Sequence, residues 1–215
     1  MKDDCKRRAY DYLSNSIINN QFQPGQSIIE QEISKTLGTS RTPVREALKQ
    51  LESEGLVRHI QGRGTFVSQV TTQDVEEIFD LREMLEVLAL QGAWGKIRDD
   101  EIEELVKFLS SLDANCSSDD FYESDRRFHD LIVRNGGNYR LESFLNNINA
   151  QIERIRRISS LTPQRLGKSK AEHLEIIYAL KERNLTKTEE LLRMHIRNVR
   201  ASAIEVCRNI RFNGY

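Results

Sequence analysis

The stretch Thr39-Ser-Arg-Thr-Pro-Val-Arg-Glu-Ala-Leu48 decides how this chain is read. It sets Arg41 and Arg45 on either side of a Thr-Pro step, at the start of a clean helical pattern. The N-terminal end of a helix is already positive through its own dipole, and cations are favoured at the other end. Two arginines there point to a negative group arriving from outside. Thr42 reads as the N-cap and Pro43 as the first helical residue. Val44, Ala47, Leu48 and Leu51 follow at i, i+3, i+4 and i+7 as one buried stripe, and Gly55 ends the helix.

Working outward, residues 5–20 carry Tyr10, Leu13 and Ile17 at helical spacing. Gln23-Pro-Gly-Gln26 is a turn, and Glu30 to Leu37 is a short helix stopped by Gly38. Beyond Gly55, Leu56–Ile60 and Thr65–Gln69 alternate as strands do, and Gln61-Gly-Arg-Gly64 joins them into a hairpin. Three helices followed by a hairpin, with a tight connection between the second and third, make a winged helix-turn-helix over residues 1–70. In that motif the first residues of the recognition helix meet base edges in the major groove. Arg41 and Arg45, one turn apart, reach guanine O6 and N7 or phosphate, and Thr42 with the helix amides suits a phosphate. Solvated surface charge is the usual fate of arginine; the hairpin and turn in register weigh against it here.

Residues 24–67 resemble the DNA-binding domain of the GntR family of bacterial transcription regulators through almost every motif position. The resemblance implies that Arg41, Thr42 and Arg45 carry recognition, with Ser40 ahead of them and Gln31 on the preceding helix. It also implies that Gly62 enters the minor groove at the wing tip, with Arg63 beside it. Gln31 departs from the fatty-acid regulator of the family, which has a base-contacting arginine there.

From residue 71 to 215 strand signals vanish and a second domain begins. Residues 71–95, 99–113, 118–134, 139–160, 163–183 and 186–210 each read as a helix, and Thr186-Lys-Thr-Glu189 is a capping box for the last. Six helices with short joints describe an all-α antiparallel bundle. The fold class is therefore mostly α, a winged helix-turn-helix followed by a helical bundle.

Polar residues on apolar faces supply the second functional signal. At about 100° per residue, Asp125 and His129 fall inside the arc of Phe121, Phe128 and Ile132. His173 falls among Ile176, Ile177 and Leu180, and His195 among Leu191, Leu192, Val199 and Val206. The chain has four histidines, and three of them point to one core together with an aspartate. A single such histidine is better read as a hydrogen-bonded core residue. For four groups on three helices, convergence on one divalent metal is the better account, with zinc, nickel and manganese all chemically suitable. The spacing also resembles the metal-binding version of the FCD effector domain, found in the FadR-like branch of GntR regulators. Arg183-Asn184 departs from the Gly-Asp common in that family. Arg82 sits within the arc of Val75, Ile78, Leu85 and Ala89. Either Glu86, one turn on, neutralises it, or it binds the carboxylate of an effector. The Arg154, Arg156, Arg157 cluster reads as a solvated or dimer-facing surface, with room for one member to reach the cavity.

Composition sets the outer bounds. The net charge of -1 conceals 10 Lys+Arg against 8 Asp+Glu in residues 1–70, so the first third is the basic part. Three isolated cysteines without a CxxC fit a reducing compartment. No leader-like or membrane-length apolar run occurs, which reads as a soluble cytoplasmic protein without membrane partners. The expected function is a transcription regulator, a homodimer on a palindromic operator, controlled by a small carboxylate at a metal site with one metal per chain. The rival is a metal-dependent, hydrolase-like enzyme with a DNA-binding appendage. Against that rival, no nucleophile motif is present, and Glu172 is rotated away from its neighbour His173.

Overall fold

The computed structural model describes residues 2–113, 116–162 and 164–212. Contacts divide the chain into two compact units, residues 1–71 with 146–157 and residues 72–145 with 158–215.

In the first unit, α1 (Lys2–Ile18), α2 (Glu30–Thr36) and α3 (Arg41–Ser53) precede a small antiparallel sheet. Its strands are β1 (Ser27–Ile28), β2 (Val57–Ile60) and β3 (Gly64–Val67), in the order β1-β3-β2. Ala9, Leu13 and Ile17 of α1 meet Val44, Ala47, Leu48 and Leu51 of α3 in one buried cluster, which Ile33, Leu56, Val57 and Val67 complete. The stripe that marked α3 in sequence is thus the face that holds it in place.

Two local expectations change. The third helix begins at Arg41 with Ser40 as its N-cap, so Thr42 lies inside the first turn rather than capping it. Backbone geometry decides this, because Ser40 is extended (φ -79, ψ 167). The sheet has a third strand, in which Ser27 pairs with Phe66 and Ile28 with Thr65. Two residues are too short to display a period.

The second unit contains α4 (Thr72–Ala93), α5 (Asp99–Ser111), α6 (Ser118–Asn135), α8 (Arg165–Lys181) and α9 (Leu185–Phe212). The helix α7 (Tyr139–Ser159) contributes its two ends here, while residues 146–157 group with the first unit. Pro163, the expected start of α8, lies outside the described residues. Each of α4, α6, α8 and α9 packs on two of the others, through the pairs α4 with α9, α9 with α8, α8 with α6 and α6 with α4. That closed ring gives four helices one shared interior.

Helix ends explain the spacing. Ser117 caps α6, accepting from the Asp120 amide at 3.2 Å while its own amide donates to Asp120 at 2.8 Å. At α9 the cap is Asn184, whose side chain accepts from the Lys187 amide at 3.1 Å, so a simple cap two residues earlier stands in place of the box expected at Thr186. Arg183 before it has φ 56, in the left-handed region where a side chain is strained. This accounts for the glycine that the family resemblance places at that joint.

The solvated reading of the arginine cluster on α7 is corrected. Arg154 and Arg156 are buried, and Arg157 is half-buried with Glu153 at 3.6 Å, so the cluster is not a solvated surface. No helix among the described residues is long and apolar enough to cross a membrane.

Candidate functional site

The seven residues expected at the nucleic-acid surface, Gln31, Ser40, Arg41, Thr42, Arg45, Gly62 and Arg63, are all exposed. The buried stripe of α3 turns its opposite face outward, and Arg41 and Arg45 stand on that outward side of the first two turns. The Ser40 side chain makes no capping bond. Arg45 has a partner that sequence reasoning did not assign. Its guanidinium donates to both oxygens of Glu30, at 3.0 and 2.8 Å, across the turn between α2 and α3. Hydrogen bonding from Arg45 holds the Glu30 carboxyl below its ordinary value. Such a pair at the surface stabilises little and yields readily to a stronger anion. At the wing tip Gly62 has φ 74, and a Cβ there would meet nothing within 4 Å, which leaves the turn open to an approaching groove.

The second constellation lies inside the helical ring. Asp125 and His129 come from α6, one turn apart, His173 from α8 and His195 from α9. All four are buried, and one ligand atom from each lies within 4.8 Å of the others. Asp125 Oδ1 is 3.5 Å from His173 Nε2, and Oδ2 is 3.8 Å from His129 Nε2. His173 Nε2 faces His195 Nε2 at 3.1 Å. Phe128 stacks on His173 with ring centroids 4.3 Å apart and closes one side with an apolar wall.

The outer contacts orient these ligands. His129 Nδ1 donates to Glu86 at 2.5 Å, and His195 Nδ1 donates to Glu172 at 2.7 Å. A carboxylate only accepts, so both imidazoles carry the proton on Nδ1 and present the Nε2 lone pair inward. Each carboxylate is in turn held by a buried arginine, Glu86 by Arg82 Nε at 2.6 Å and Glu172 by Arg165, with Asn198 also donating to Glu172 at 2.9 Å. Burial alone would raise the Glu86 carboxyl, but the Arg82 charge and the hydrogen bonds from Arg82 and His129 overcome it and hold it at about 2. Burial pushes His129 down to about 4 and His173 well below its ordinary value, so both are neutral, the form in which imidazole binds a metal.

The donor set fits a divalent ion. Tetrahedral ligands at roughly 2.0–2.2 Å from zinc lie about 3.4 Å apart, so the set, whose ligand atoms lie within 4.8 Å of one another, would close on an ion by side-chain shifts of about an ångström or less at each ligand. Carboxylates behind two of three histidines are the arrangement that fixes ring tautomer and raises ligand basicity. Arg82 takes the first of the two partners weighed for it, Glu86 one turn on. It also keeps Nη1 buried without a hydrogen-bond partner. Sequence reasoning missed Arg165, Asn198 and the role of Glu172, because Glu172 turns away from His173 in order to reach His195 on the next helix.

Against known proteins, the FCD domain matches residues 77–198, and the gntR family of bacterial regulatory proteins matches residues 5–67. The chain belongs to the GntR regulators that carry an FCD domain. It is 29% identical to the HTH-type transcriptional regulator YdhC of Bacillus subtilis, over 87% of this chain and 84% of that one. Its fold matches a GntR regulator structure from Rhodococcus sp. RHA1 with a TM-score of 0.76, at 22% identity over 93% of this chain and 97% of that one. The Zn2+-bound FCD domain of TM0439 matches 69% of this chain and 100% of its own, at 26% identity and a TM-score of 0.58. The protein is thus a DNA-binding transcription regulator of GntR/FCD type and not an enzyme.

Proposed function

We propose that residues 1–70 form the operator-binding domain and residues 71–215 the effector-binding and dimerisation domain of a cytoplasmic regulator. Asp125, His129, His173 and His195 hold one divalent ion per chain, with zinc, nickel and manganese all compatible with imidazole and carboxylate ligands. The observation that carries this reading is the convergence of three imidazoles and Asp125 within 4.8 Å, two of the imidazoles backed by Glu86 and Glu172. The Zn2+-bound relative supports it. Bound there, the ion supplies a positive charge deep in the helical ring, to which an anion can be drawn.

The effector is a small carboxylate. Its charge is matched to the ion on one side and to Arg82 on the other, where Nη1 has a donor to give. Gln31, Ser40, Arg41, Thr42, Arg45, Gly62 and Arg63 contact the operator. One winged helix reads a short half-site, so the protein binds a palindrome as a homodimer. Effector binding changes operator affinity by its differential affinity for the arrangements of the two winged helices.

The test begins with a duplex selected from a random library by the zinc-loaded protein. Small organic acids are then screened for loss or gain of the gel shift. A carboxylate should change it, and both chelation and Arg82→Ala should blunt that response while binding without effector persists. A cationic or uncharged apolar effector would overturn the mechanism.

A further inference from the structure

Arg82 does more than stand beside the metal ligands. Its Nη2 lies 2.8 Å from His129 Nε2. Arginine only donates, so His129 Nε2 must accept, consistent with the proton that its Nδ1 gives to Glu86. The lone pair that Arg82 engages is therefore the one that His129 would offer to a metal. One lone pair cannot serve both.

We infer that Arg82 is a metal-gated donor: it competes with the divalent ion for His129 Nε2, and metal binding releases its guanidinium edge to receive the effector carboxylate. The inference rests on the metal reading above and adds an order of events to it. Nη1 is buried without a partner. Once Nη2 gives up His129, Nη1 and Nη2 together form the two-pronged fork that binds a carboxylate in parallel. Nε stays on Glu86 at 2.6 Å, so the guanidinium remains tethered while its free edge is redirected. Metal and effector are then coupled, each raising affinity for the other, since such linkage is reciprocal. Glu86 and Glu172 act differently. They are positioning residues, which favour metal by holding His129 and His195 in the accepting tautomer.

The two roles predict opposite signs, readable with the metal alone. Zn2+ is titrated into the full-length wild type, Arg82→Lys, Arg82→Gln and Glu172→Gln, by competition with a chromophoric chelator. Losing an outer-shell partner ordinarily weakens metal binding about 10–100-fold, and Glu172→Gln should do so. Both Arg82 variants should instead bind Zn2+ more tightly, on the order of tenfold. A gain in Arg82→Gln with none in Arg82→Lys would mean that only the charge matters, and would overturn the inference. So would a loss in both. A wild type that takes up no Zn2+ defeats the metal reading itself, which is a separate result. If the Arg82 variants do not fold, the wild type still decides. On adding one equivalent of Zn2+, the Arg82 side-chain N–H resonances should shift and lose protection from exchange, and unchanged resonances would contradict the competition.

Discussion

The Arg45 side chain is 58% exposed while both its hydrogen bonds go to Glu30. An internal anion thus occupies the guanidinium that we assign to the operator. This resolves how a positive charge is tolerated near the positive end of α3, since Glu30 from α2 meets it when nothing else does. The exchange of Glu30 for a base edge or phosphate costs little at an exposed site. Arg41→Ala and Arg45→Ala should each weaken specific binding by about 1–3 kcal/mol if they read bases. Gel shifts at fixed salt check this, and unchanged affinity in the double variant would remove α3 from recognition. Thermal unfolding should barely move in either variant. Residues on one helix face were legible in the sequence, and Asp125, His129, His173 and His195 were found that way. Their partners were not. Arg165 and Asn198 reach Glu172, and Glu30 reaches Arg45, through contacts between elements that no period along the chain encodes.

At the level of elements, α4 meets the C-terminal end of α6 at glycine on both sides, Gly92 within α4 and Gly136 as the cap of α6. A Cβ on Gly92 would lie 2.4 Å from the Gly136 carbonyl oxygen, and one on Gly136 would lie 3.0 Å from the Ala89 oxygen. That close approach holds the helix bearing Arg82 and Glu86 against the helix bearing Asp125 and His129. Gly92→Ala should therefore destabilise the protein by about 1–3 kcal/mol, as overpacking does, and weaken metal uptake with it. Gly167, inside α8, has nothing within 4 Å of a built Cβ, so Gly167→Ala should stabilise by up to about 1 kcal/mol. Calorimetry on the two variants checks the contrast, and equal effects would contradict it. The helices themselves were legible to within about three residues at their ends, because apolar stripes, caps and glycine stops agreed along the chain. The strand β1 was not, since its pairing with β3 is a tertiary fact and Ser27–Ile28 offers only two residues. The start of α3 was misplaced because Ser40 and Thr42 are both good capping residues, and only the extended backbone at Ser40 chooses between them.

For the whole molecule, the account requires two winged helices acting together. Light scattering at micromolar concentration should give twice the 25.0 kDa chain mass, and a strictly monomeric protein would contradict the palindromic operator. The DNA-binding regulator was legible at this scale, and the two sites proposed here each left their own kind of trace, surface arginines at a helix start in one domain and polar groups on apolar faces in the other. The identity of the effector left none, since selectivity among small molecules depends on a shape that helices build jointly. The claim on which regulation turns is the metal. Native mass spectrometry of protein purified without chelator, beside His195→Ala, tests it most directly. The account predicts close to one divalent ion per chain in the wild type and its loss in the variant. Protein that carries no ion and takes up no zinc would return Asp125, His129, His173 and His195 to the role of hydrogen-bonded core residues.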